Sequence, residues 1–271
     1  MPPHYIAPAI RLVVYFACFM TFLYFVQDRL LYYPRRYDQT VLAQLSERAG
    51  LRAWPTPQDY RGFIVANPAN EAAGNVIVLH GNAGSAADRT YYREFLPADL
   101  RIILLEYPGY GARNGEHDEG AYVADGAESL RLIRQQYQGP LYVLGESLGA
   151  AVATGAVAKS GIAVDGVILC TPWDNLPSLA QAIYWFLPVK ALVRARYDNV
   201  ESLKSYRGPL GVIVAERDEI VPRRPSLNVY EAYAGPKRLW VVQGSHNTWL
   251  NSTDPKWWQA VFRHLRNVAA Q

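Results

Sequence analysis

The chain has 271 residues, 50% of them hydrophobic and 19% charged, which leaves room for roughly one large domain or two small ones and is too apolar for intrinsic disorder. Its 27 Lys and Arg against 24 Asp and Glu give a net charge of only +3, and the basic residues are scattered rather than striped, so no nucleic-acid partner is expected. Two cysteines, Cys18 and Cys170, supply neither a disulfide framework nor a thiolate-rich zinc site.

From Leu12 to Val26 the chain carries no charge, with Arg11 before the run and Asp28 and Arg29 after it. As a helix, residues 8–27 span about 30 Å, the thickness of a hydrocarbon core. They read as one transmembrane anchor behind a short tail, residues 1–7. The alternatives are a buried core helix and a cleaved secretory signal; against cleavage, no small-x-small site follows the run. Arg29, Arg35 and Arg36 after the segment, against Arg11 before it, lean toward a cytoplasmic main domain. Residues 28–54 read as a juxtamembrane connector with a short helix near Val41 to Ala49.

From residue 55 to 271 strand-like and helix-like runs alternate, the pattern of a parallel sheet with crossover helices in one α/β domain. Strands are expected at Gly62–Ala66, Val76–His80, Arg101–Tyr107, Leu141–Gly145, Gly166–Cys170, Leu210–Ala215 and Arg238–Gln243. Most are short and unalternating, as strands buried on both faces should be. Val123, Ala127, Leu130, Ile133 and Tyr137 recur at helical spacing and make a stripe for the sheet. The last helix is expected to start with Asp254 as its cap and Pro255 in its first turn, turning Trp258, Val261, Leu265 and Val268 inward and His264 to the surface.

Leu141-Tyr142-Val143-Leu144-Gly145-Glu146-Ser147-Leu148-Gly149 is a hydrophobic strand ending in G-x-S-x-G, followed by the small-residue helix Ala150 to Ala158. A tight strand-to-helix turn of this kind exposes a strained Ser147 above the sheet, and side chains at Gly145 or Gly149 would clash with backbone. A serine nucleophile needs a base, and that base an orienting group. Of five histidines, His246 follows a predicted strand in Gly244-Ser245-His246-Asn247, at the sheet edge where Ser147 emerges. His80 belongs instead to His80-Gly81-Asn82-Ala83-Gly84, a turn able to aim a peptide N–H at an oxyanion. For the acid, Asp218 is preferred, just past the strand preceding the His-bearing strand and in the order Ser147, Asp218, His246 expected for an alpha/beta hydrolase, with Glu216 and Glu219 as alternatives.

With these residues in place, the chain resembles the alpha/beta-hydrolase superfamily, in particular its single-pass, membrane-anchored serine-hydrolase branch, over about residues 28 to 268. The further motifs behind the resemblance are Leu30-Leu31-Tyr32-Tyr33-Pro34, Glu106-Tyr107-Pro108-Gly109-Tyr110-Gly111, and Asp218 with Val221-Pro222. The resemblance implies the alpha/beta-hydrolase fold, with Ser147 as nucleophile, His246 as general base, Asp218 as acid and the backbone N–H groups of Asn82 and Leu148 as the oxyanion hole. Glu106 stands where an aspartate is expected. No metal or organic cofactor is required.

Between Thr171 and Arg207 a short cap, about residues 172–207, is expected. Tyr110, Trp173 and Trp185, with Trp249 beside His246, are candidates to line an apolar acyl pocket; the alternative is that such aromatics merely cover the sheet. The reading is a membrane-anchored hydrolase of a small-molecule or lipid-like acyl substrate, ester-type, through an acyl-enzyme. An amidase, a peptidase, an acyltransferase or a non-catalytic binding protein on the same fold remains open, as does the oligomeric state.

Overall fold

A computed structural model of the chain describes residues 3–65 and 72–269; Ala66, the end of one expected strand, lies outside them. One eight-stranded sheet organises the rest. Its strands are β1 (Leu51–Pro55), β2 (Tyr60–Val65), β3 (Gly74–Leu79), β4 (Leu100–Leu105), β5 (Leu141–Glu146), β6 (Gly166–Cys170), β7 (Leu210–Ala215) and β8 (Lys237–Val242). They lie in the order β1-β2-β4-β3-β5-β6-β7-β8. β1 and β2 run antiparallel at one edge, and β4 onward is parallel.

The helices are α1 (Pro3–Leu31), α2 (Gln39–Ala49), the single turn α3 (Tyr92–Phe95), α4 (Glu119–Gln136), α5 (Leu148–Ser160), α6 (Leu176–Ile183), the short α7 (Asn199–Leu203), α8 (Arg223–Ala232) and α9 (Pro255–Ala269). They divide between the two faces of the sheet. Because side chains alternate along a strand, Ile77, Val143, Leu169 and Val212 join a core with α4, α5, α6, α7 and α8. Val78, Leu144, Ile168 and Ile213 join a second core with α2, α3 and α9. Burial on both faces explains why the central strands read as unbroken apolar runs.

α9 starts as the sequence predicts, with Asp254 Oδ1 accepting from the Trp257 N–H (2.7 Å) and Pro255 as its first residue. It buries Trp258, Val261, Phe262 and Leu265, whereas Val268, expected inward, is only half-buried. The inward face is therefore centred one position away from the expected one, toward Phe262. His264, expected at the surface, is half-buried and packs edge-on to Trp240, ring centres 5.8 Å apart. β1 falls inside the stretch read as a connector: Leu51 pairs with Val65 and Trp54 with Gly62, so the sheet begins before residue 55. Its short mixed sequence carries no strand period, and only pairing with β2 makes it a strand.

α1 is a different kind of element. Its residues 8–31 form the one described helix long and apolar enough to cross a membrane, and only 6% of its most apolar window is buried in the protein. That exposure excludes the buried-core-helix reading.

Trp258 reports on the second core. Trp258→Ala should lower unfolding stability by about 3–5 kcal/mol, and the exposed neighbour change Gln259→Ala should stay within about 0.5 kcal/mol. Urea unfolding midpoints at unchanged slope check this, and equal losses from the two variants would contradict the packing described.

Candidate active site

The site lies beyond the carboxyl ends of the parallel strands, where loops are free to carry polar side chains while the sheet holds their roots. β5 ends at Glu146, and α5 begins at Leu148. Ser147 between them has φ 51° and ψ −114°, a conformation that costs an L-residue of this type on the order of 1–3 kcal/mol. Close packing enforces it. A Cβ at Gly149 would sit 2.1 Å from Leu79 O, and one at Gly145 would sit 2.4 Å from Gly149 O, so only glycine lets α5 lie so near β3 and β5. The Ser147 N–H donates to Cys170 O (2.9 Å), fixing the elbow to β6 as well.

His246 follows β8 and reaches Ser147, its Nε2 3.0 Å from Ser147 Oγ. Its Nδ1 lies 2.8 and 3.0 Å from the two Asp218 carboxylate oxygens. Asp218 follows β7; its carboxylate also accepts from the N–H groups of Ile220 (3.0 Å) and Val221 (2.7 Å), and its side chain is buried. Glu219 meets the His246 backbone N–H rather than the ring (3.3 Å), and Glu216 is exposed. Residues 99 and 28 positions apart are thus assembled into one hydrogen-bonded chain.

Leu148 opens α5, and its N–H belongs to the first turn, which has no intrahelical acceptor. The other candidate donor, Asn82, lies in the turn after β3, where a Cβ on Gly81 would stand 3.7 Å from Ser147 Cβ. The Asn82 side chain carries a role that the sequence did not disclose. Its Nδ2 donates to Leu31 O (2.5 Å), and its Oδ1 accepts from Tyr33 N–H (3.2 Å) and Tyr110 Oη–H (2.9 Å). Tyr107 Oη–H donates to His80 O (2.8 Å). The buried His80 ring lies between Glu106 Oε1 (3.0 Å) and Gly81 O (2.7 Å), and Glu106 Oε2 accepts the Ala86 N–H (3.1 Å). The Glu106–Gly111 motif therefore buttresses the turn, and Glu106 serves where an aspartate was expected.

The pocket beside His246 has a volume of about 480 Å³ and is lined by Arg89, Tyr91, Glu146, Asn247 and Trp249 among others, within the range of small-molecule sites. Glu146 sits under it, accepting from Arg89 Nε–H (2.9 Å), Tyr92 Oη–H (2.5 Å) and Tyr91 Oη–H (3.2 Å). Burial pushes the Glu146 carboxyl up, but the Arg89 guanidinium and these hydrogen bonds outweigh it and hold the carboxyl below the usual range. The same pairing raises Arg89 against its own burial. No sequence motif announces this pair, because Arg89 and Glu146 are 57 positions apart.

The four aromatic pocket candidates divide. Trp249 lines the pocket beside His246. Tyr110 is fully buried and serves the Asn82 turn. Trp173 packs into the core, its Nε1–H donating to Tyr197 O (3.1 Å). Trp185 is 79% exposed: α6 ends at Ile183 and the chain turns outward, so this residue lines no pocket at Ser147. Among the described residues no group of three or more His, Cys, Asp or Glu is placed to hold a metal ion.

Glu146→Gln tests the buried pair, since it leaves Arg89 without a counter-charge. The variant should lose about 3 kcal/mol at pH 7. A carboxyl held low in the folded state stabilises above its unfolded value and ceases to do so as pH falls through its folded one. The gap from wild type should therefore close below about pH 4.3. Thermal unfolding across pH 3–8 measures it; a gap that does not vary with pH would mean that the carboxylate charge contributes nothing.

A family model described as the alpha/beta hydrolase family matches residues 76–270. An uncharacterized protein of Mycobacterium tuberculosis is 30% identical over 247 residues, covering 84% of this chain and 83% of its own. A lysophosphatidylserine lipase, ABHD12, of Danio rerio is 27% identical over 184 residues, 60% of this chain but 48% of that longer protein. Among solved structures, the Pyrococcus furiosus esterase Pf2001 superposes with a TM-score of 0.63 at 17% identity, over 88% of this chain and 98% of that one.

Proposed function

The chain belongs to the alpha/beta hydrolase family, and we propose that it is a membrane-anchored serine hydrolase that cleaves ester-linked, lipid-like acyl substrates. The observation that carries this reading is the hydrogen-bonded chain from the strained Ser147 through His246 to Asp218. A structural serine has no need of a disfavoured backbone conformation that costs folding energy.

In the proposed reaction the Ser147 hydroxyl attacks the acyl carbonyl while His246 Nε2 takes its proton. Asp218 holds the ring with Nδ1 protonated and stabilises the imidazolium that forms. The N–H groups of Leu148 and Asn82 receive the developing oxyanion, helped by the positive end of α5. His246 then returns the proton to the leaving alcohol, and water, activated by the same imidazole, releases the acid from the acyl-enzyme. The pocket of Arg89, Tyr91 and Asn247 lies on the His246 side, which suits it to the leaving group.

Two further observations favour a lipid-like ester. α1 has the length and exposure of a membrane span, and its last residue contacts the Asn82 turn, which would hold the reaction centre near the bilayer surface. One relative is named as a lysophosphatidylserine lipase and one structural neighbour as an esterase. The excess of arginine after the uncharged run, Arg29, Arg35 and Arg36 against Arg11 before it, favours a cytoplasmic hydrolase domain.

A fluorophosphonate probe should label the full-length protein at Ser147 and fail to label Ser147→Ala. The same change should lower ester turnover on the order of 10⁴-fold or more. Mass spectrometry of the modified peptide identifies the residue; a folded wild-type protein that takes up no label would overturn the proposal.

A further inference from the structure

We infer that the groove between α1 and the cap is a binding site for one hydrocarbon chain of a membrane lipid, so that the anchor helix forms a wall of the acyl site. The assignment of that chain to the substrate's acyl group rests on the hydrolase reading above.

The groove has a volume of about 430 Å³, within the range of ligand sites. Phe19, Leu23 and Leu30 line it from α1, and Ala180, Phe186 and Val193 from the cap. Apart from the Tyr184 hydroxyl, the polar lining is the Gln27 side chain, which is already engaged: Nε2 donates to Tyr24 O (2.7 Å) and Leu192 O (3.3 Å), and Oε1 accepts from the Arg194 N–H (2.8 Å). Asp28 and Arg194 form an ion pair beside it. The interior thus offers carbon to a ligand, while the rim locks the cap to the anchor.

Depth supplies the occupant. Residues 8–31 of α1 measure about 36 Å as a helix, against roughly 30 Å of hydrocarbon, so the final turn from Asp28 stands among headgroups and Phe19 and Leu23 lie within the acyl region. Tyr184, Phe186 and Leu187 line the same groove as those two residues. The exposure of the cap tip agrees: Trp185 is 79% and Phe186 64% exposed. In water that would be a costly patch, whereas at a bilayer surface it is an aromatic anchor. The groove is continuous with the lipid-facing surface of α1, and lipid hydrocarbon is the material in contact with its mouth.

One end of the groove is tied to the reaction centre through Leu31. Leu31 lines the groove, and its carbonyl accepts from the Asn82 side chain at 2.5 Å. Asn82 carries one of the two proposed oxyanion N–H groups, so this end of the groove is hydrogen-bonded to the turn that would receive a substrate carbonyl.

The test uses full-length protein in phosphatidylcholine vesicles containing a C16 fatty acid with a mid-chain diazirine. Irradiation and tandem mass spectrometry should find adducts on the cap wall, at Leu176, Ala180 or Val193, as well as on α1. Ala180→Trp, which fills the groove, should reduce the cap adducts roughly tenfold, the equivalent of about two buried methylenes. Ala182→Trp, on the exposed side of α6, should leave them unchanged. Adducts confined to outward residues of α1 such as Phe22 and Phe25, or cap adducts insensitive to Ala180→Trp, would overturn the site. Because Ser147→Ala protein should give the same adducts, this readout is independent of catalysis. A parallel comparison of alkyl fluorophosphonates should show long chains labelling Ser147 faster than short ones, with the preference lost in Ala180→Trp. Absence of all Ser147 labelling with cap adducts present would remove the hydrolase reading and leave the lipid site standing, whereas Ser147 labelling indifferent to chain length would overturn the acyl assignment alone.

Discussion

The structure turns on the backbone of one residue. Ser147 stands at φ 51°, and nothing in its own side chain favours that angle. The energy comes from the approach of α5 to β3 and β5, close enough that Gly149 and Gly145 admit no side chain, and from the apolar packing of Leu148, Ala150, Ala151 and Val152 into the core behind it. The strain is local, while its compensation is spread over two strands and a helix. A sheet buried on both faces provides enough packing for a cost of on the order of 1–3 kcal/mol.

Opposite the elbow, the turn at residues 80–84 is held mostly from outside, beyond the one internal contact of the His80 ring with Gly81 O. Asn82 is bound by Leu31, Tyr33 and Tyr110, and His80 by Glu106 and Tyr107. The strand-like segment after α1 runs on into the same support, with Pro34 bridged to Gly84 and Arg36 to Gly111. A membrane helix joined through a loose connector would leave the domain free to tumble at the surface. Here the end of α1 is hydrogen-bonded to the turn and to the cap at once, so the orientation of α1 and that of the site are one variable.

How much of this the sequence discloses depends on the range of the interaction. The central strands were legible to within one or two residues, because burial on both faces leaves a continuous apolar run, and Ser147, Asp218 and His246 were legible through a local motif and chain order. The edge strand β1 was not, since only pairing with β2 makes it a strand. The Arg89–Glu146 pair and the Asn82 clamp join positions 57 and 51 residues apart and carry no periodicity. Trp185 was misplaced for a related reason: aromatic character marks a residue that prefers to leave water, but it does not say whether protein or lipid receives it.

On the proposed reading, the His246 pocket and the groove beside α1 are two ends of one substrate site that follow different physics, and this bears on which part of a substrate would be selected. At the leaving-group end Arg89 is the obvious cation, yet it is committed to Glu146, with both side chains largely buried. A buried guanidinium whose charge is already balanced offers an anionic head group little net attraction. Selection there falls to neutral polar groups such as the Asn247 amide, which fix orientation more than they add affinity. At the other end the groove beside α1 offers almost only carbon, where each buried methylene contributes about 0.8 kcal/mol regardless of what the head group is. If the proposed lipid-ester activity holds, binding free energy should grow with chain length and the head group should affect the rate mainly through alignment at His246, so that the tail of the substrate would be discriminated more than its charge.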